Sequence, residues 1–69
     1  MSPDKLAYMA NQIGKFFAHE PHEKAVASIT DHLKLFWDPR MRRTIVADYD
    51  TVKTKLDPLV QEAVENLRG

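Results

Sequence analysis

Four prolines divide the chain, and each stands where a helix can begin: Ser2-Pro3, Glu20-Pro21, Asp38-Pro39 and Asp57-Pro58. Proline suits the first position of a helix, where its missing N–H is not needed, and a Ser or Asp just before it can cap the next free N–H groups. Proline also pushes the residue before it out of the helical region, so the same four points terminate whatever precedes them. Ser2, Asp38 and Asp57 are good caps and Glu20 is a poor one. The spacing predicts four helices, over about 3–18, 21–37, 39–52 and 58–67, joined by very short corners.

Hydrophobic periodicity agrees. Leu6, Met9, Ile13, Phe16 and Phe17 form one stripe on the first helix, and Val26, Ile29, Leu33 and Phe36 form one on the second, with Ala25 beside them. The third carries Met41, Ile45, Tyr49 and Val52, but residues 50–55 are β-branched and charged, of mediocre helix propensity, and are expected to fray. The fourth shows Leu59, Val60, Ala63, Val64 and Leu67. No segment alternates with period two for long enough to make a strand. The expected class is therefore all-α: a small bundle of three to four short helices with tight Pro-initiated corners, one domain over residues 1–69.

A chain of 69 residues buries a limited share of its surface on folding, and small domains usually add disulfides, a metal or association with another chain. With no cysteine, disulfides are excluded, and association is the expected helper. Ten basic residues balance ten acidic ones, which gives a nucleic-acid binder little support. No apolar run reaches the length of a membrane span, and the N-terminal residues lack the pattern of a secretory signal, so a soluble, intracellular protein is expected. There is no Gly-rich phosphate loop and no recognisable nucleophile–base constellation. His19, His22 and His32 invite a metal site, but Pro21 breaks the helical spacing of the first two, and solvated or partner-facing histidines explain them as well.

The corner between the second and third helices is the most informative place. Only Asp38 separates Trp37 from Pro39. Phe36 and Trp37 point about 100° apart on a helix, so one of them faces away from the stripe. Phe36 continues the stripe, which leaves Trp37 either as a lid on the bundle or as an interface anchor. Phe16 and Phe17 pose the same question, with the core as the expected answer. Arg40, Arg42 and Arg43 sit in the first turn of the third helix, where the dipole disfavours cations. Arg40 and Arg43 have no acid three or four positions away, and Arg42 reaches at best back to Asp38. They are either solvated or meet carboxylates or phosphates of another molecule, for which a guanidinium fork is suited. Asn11 and Gln12 have no local capping role. Gly14 costs its helix about 1 kcal/mol relative to alanine, which points to a close approach, by a partner's backbone or within the bundle.

Met9-Ala10-Asn11-Gln12-Ile13-Gly14 followed by Phe16-Phe17, then His32-Leu33 and Phe36-Trp37-Asp38-Pro39-Arg40-Met41-Arg42, then Leu56-Asp57-Pro58-Leu59-Val60 with Ala63 and Leu67, resembles the delta subunit of cytoplasmic NAD-dependent, molybdenum-containing formate dehydrogenases. The similarity runs over essentially the whole chain. Its strongest pieces are Asn-Gln-Ile-Gly and Trp-Asp-Pro-Arg-Met-Arg, because helical periodicity demands neither.

The resemblance implies a non-catalytic accessory subunit in a cytoplasmic hetero-oligomer. Its alpha subunit would hold bis-molybdopterin guanine dinucleotide and iron–sulfur clusters. Beta and gamma subunits would carry FMN, further clusters and the NAD site, and the complex would convert formate and NAD⁺ to carbon dioxide and NADH. The chain itself is expected to bind none of these cofactors, in keeping with its lack of thiolates. On this reading Phe36, Trp37, Asp38, Pro39, Arg40, Met41 and Arg42 dock on the alpha subunit, with Trp37 as anchor, and Asn11, Gln12 and Gly14 form a second contact. Two other classes stay open: a DNA-binding regulator using the basic start of the third helix, and a free-standing homo-oligomeric bundle.

Overall fold

The structure, a computed structural model, describes residues 2–69, which are helical apart from short corners. Five helices follow one another: α1 (Pro3–Phe17), α2 (His22–Phe36), α3 (Pro39–Ala47), α4 (Tyr49–Val52) and α5 (Pro58–Arg68), with a single 3₁₀ turn at Lys53–Lys55 between the last two. The all-α class is thus as expected, and the helix count is one higher than the three to four anticipated.

Proline opens α1, α3 and α5 as the sequence suggests, but the caps differ in kind. The Ser2 hydroxyl accepts from the Lys5 N–H at 3.2 Å, and Asp38 Oδ1 accepts from the Met41 N–H at 2.9 Å. Asp57 makes no side-chain cap. Its own N–H instead donates to the side chain of Asn11, 46 residues away, at 2.9 Å. At the second corner Pro21 itself takes the capping position, with no side-chain acceptor.

The predicted third helix over 39–52 is broken. Asp48, at φ −100° and ψ 14°, ends α3, and α4 starts on the next residue. The fraying expected at 50–55 is also corrected, because side-chain hydrogen bonds from Asn11 and Gln61 make up for its weak propensity. Asn11 Nδ2 donates to the Lys55 carbonyl at 2.8 Å, and Gln61 Nε2 donates to the carbonyls of Lys53 and Leu56 at 2.8 and 3.3 Å. Tyr49 is buried, and its hydroxyl donates to the Glu65 carboxylate. The guanidinium of Arg68 lies 5.2 Å from the centre of its ring, so α4 is clamped on α5. Burial, reinforced by the Glu65 hydrogen bond and charge, pushes the Tyr49 phenol up to about 12.

α2 packs most extensively on α5, and α1 covers both. The core runs through Leu6, Ile29, Leu33, Ile45, Val52, Val60 and Val64. On α1 the fully buried face is Leu6, Ala7, Ala10 and Gly14, whereas Met9, Ile13 and Phe17 border it. Small residues at the centre of that face let the backbones come close. A Cβ on Gly14 would sit 2.5 Å from Val60 Cγ2, which resolves the role of this glycine in favour of contact within the bundle.

Candidate partner interface

The end of α2 reverses the expected roles of its two aromatics. Trp37 is 6 % exposed and belongs to the core, while Phe36 is 71 % exposed. Relative to Leu33, position 36 lies about 60° to one side and position 37 about 40° to the other, so periodicity is compatible with either. The Pro39 corner decides between them. Trp37 leaves the helix with an extended backbone, φ −83° and ψ 138°, and its indole turns back onto the bundle. The expectation that Phe36 continues the buried stripe, and that Trp37 faces out as an anchor, is corrected accordingly.

Phe16 is corrected in the same way: it is 73 % exposed and Phe17 half-buried. Their rings meet edge to face at 5.0 Å. Phe17 stands 6.1 Å from the imidazole of His32, and His32 lies 4.6 Å from Phe36. Four rings from two helices therefore form one continuous row across the α1–α2 surface. Leu35, 76 % exposed, extends it. Two open grooves flank the row and share Phe17 and His32. One is completed by Gln12, Ile13 and Phe16, the other by Ser28, Asp31, Leu35 and Phe36. Gln12 is thus on this surface, as a partner contact would require. Two signals were missed: periodicity places Phe16 inward with its stripe, and Leu35, which lies off the α2 stripe, is the readable sign of an outward apolar face.

The basic corner is split. Asp38, Arg40 and Met41 line one depression with Leu6 and Thr44. Arg42 turns the other way, and its guanidinium donates to the Lys34 carbonyl at the end of α2, not to Asp38. Arg42, Arg43 and Lys34 surround a separate cleft of about 330 Å³ floored by Val46 and Leu67. Pro39 is exposed at the helix start and fixes the corner between these two surfaces. Asn11 is used within the chain, by the two hydrogen bonds already described, and does not stand free as a partner contact.

The histidines are dispersed. His22 pairs with Glu62 at 2.6 Å, His32 is in the aromatic row, and His19 is exposed. Among the described residues no three His, Cys, Asp or Glu side chains could hold a metal ion together. No described helix is long and apolar enough to cross a membrane.

The five helices among the described residues make a small all-helical fold whose notable features are open surfaces. Its family is specific. The family model described as NADH-dependant formate dehydrogenase delta subunit FdsD matches residues 5–64, and the chain belongs to that family. It is thereby placed among the delta subunits of NAD-dependent formate dehydrogenase. No curated protein and no solved structure matches it significantly.

Proposed function

We propose that this chain is a non-catalytic subunit that docks on the molybdenum-containing alpha subunit of a cytoplasmic NAD-dependent formate dehydrogenase and supports assembly or cofactor retention there. The observation that carries the reading is the exposed aromatic row. Large side chains left in water at Phe16, Leu35 and Phe36 each forgo on the order of 1.5–3 kcal/mol of transfer free energy, which a partner surface recovers. Contiguous apolar patches of this kind on a soluble protein mark interaction sites. Phe36 and Leu35 take the anchoring role expected of Trp37. Asp38, Pro39, Arg40 and Met41 follow immediately in the chain and supply a polar rim, with Gln12 on the α1 side.

The redox centres belong to other subunits on this reading: bis-molybdopterin guanine dinucleotide and iron–sulfur clusters in alpha, FMN, further clusters and the NAD site in beta and gamma. This chain contributes contacts and no cofactor ligands. Co-expression with tagged alpha, beta and gamma subunits tests the proposal. Leu35→Ser with Phe36→Ser should remove the chain from the purified complex, because both side chains are exposed and their loss leaves the fold intact. Retention of the double variant at wild-type stoichiometry would overturn the assignment of this face. Arg40→Ala added to it reports the contribution of the rim.

A further inference from the structure

The cleft between the ends of α2 and α5 and the middle of α3 is a second surface, chemically unlike the aromatic row. Lys34, Arg42 and Arg43 surround it, with Val46 and Leu67 as its apolar floor. None of the three cations forms an ion pair among the described residues, whose two salt bridges are His22–Glu62 and Lys55–Asp4. We infer that this cleft binds an acidic peptide segment of the partner, with two or more carboxylates on the cationic rim and an aliphatic side chain on the Val46–Leu67 floor.

Three observations converge on that occupant. The first is placement. Arg42 closes the first turn of α3, where the helix dipole disfavours a cation and an anion offsets that cost, and Arg43 follows it on the same rim. The second is preorganisation. The bond from Arg42 to the Lys34 carbonyl fixes the guanidinium at the mouth of the cleft, so its remaining N–H donors are held in a fork that suits a carboxylate. Side-chain entropy that is already spent is not charged to binding. The third is the floor. Val46 and Leu67 are half-buried apolar surface between the cations. A phosphate backbone has nothing to place there, whereas a peptide places a side chain.

The inference rests on the reading of the chain as a docked subunit, and the experiment separates the two. The assembled complex, tagged on the alpha subunit, is immobilised and washed with rising KCl, and release of this chain is followed. Lys34→Gln with Arg43→Gln spares Arg42 and its bond to α2, so the fold is not at stake. The half-release KCl concentration should fall at least twofold in this variant, and Arg43→Lys should restore part of the loss. Release at the wild-type concentration overturns the cleft assignment while leaving the docking reading intact. A wild-type chain that never joins the complex overturns both. A photo-crosslinking residue in place of Val46 identifies the occupant: an acidic peptide supports the inference, and a neutral or basic peptide, or nucleic acid, refutes it.

Discussion

Replacing Asn11 by Ala is the most direct test of how this chain holds its C-terminal half in place. The Asn11 amide donates to the Lys55 carbonyl and accepts from the Asp57 N–H, at 2.8 and 2.9 Å, and so joins the middle of α1 to both sides of the α5 entry. Each bond is worth about 1 kcal/mol net, and both lie near solvent, where water replaces part of what is lost, so the substitution should cost about 1–2 kcal/mol. A chain of this length holds on the order of 3–10 kcal/mol in total. The corresponding fall in melting temperature is about 4–16 °C. Thermal unfolding followed by circular dichroism measures it, and amide hydrogen exchange localises it, since protection at the Asp57 amide and through 53–57 should drop before that of α2. Asn11→Asp keeps the acceptor but sets a carboxylate oxygen against the Lys55 carbonyl, so it should not restore wild-type stability. If Asn11→Ala melts within about 2 °C of wild type, with unchanged exchange at 53–57, the amide is not a structural staple, and its expected role as a partner contact regains force.

Other substitutions probe different joints. Gly14→Ala brings its Cβ to 2.5 Å from Val60 Cγ2, and an overpacking cost of about 1–3 kcal/mol should outweigh the gain of about 1 kcal/mol in helix propensity. Adding Val60→Ala to it should recover stability relative to the sum of the single changes, as urea midpoints would show. Trp37→Ala should cost about 3–5 kcal/mol as a core truncation, and Phe36→Ala should stay within about 0.5 kcal/mol in the isolated chain; equal effects would refute the assignment of one inward and one outward. The Tyr49 phenol is raised from 10.0 to about 12 in the folded chain, so the folded state holds this proton more tightly than the unfolded one. Its contribution is complete below pH 10 and is lost as pH rises through 12, and Tyr49→Phe should flatten that part of the stability profile.

The proline corners, the four main helical segments and the absence of strands among the described residues were legible in the sequence because they rest on local chemistry: a fixed φ, a missing N–H and a period of 3.6. The break at Asp48 and the order of residues 53–57 were not. The order of 53–57 depends on Asn11 reaching 44 and 46 residues along the chain, and no local window contains both partners of such a bond. The resemblance over Asn11 to Gly14 identified the family without revealing what the residues do. Asn11 proved to join α1 to the α5 entry and Gly14 to admit Val60, so their distinctive spacing serves the bundle.

The misplacement of the aromatics follows from one assumption, that the largest apolar residues mark the buried face. On α1 and α2 they do not. Ala7, Ala10 and Gly14 on α1 and Ala25 on α2 are buried, while Phe16, Leu35 and Phe36 face water. Small residues at the helix contacts draw the backbones together and leave less volume to be filled. A core of Leu6, Ile29, Leu33, Trp37, Ile45 and Val60 then suffices, with large side chains left over. The docking proposed above accounts for this arrangement, which burial within the chain does not. Replacing Phe16, Leu35 and Phe36 together by Ser should therefore leave the isolated chain as stable and more soluble, and defective only in joining the complex. A matching loss of stability in the isolated chain would show that the row belongs to the fold.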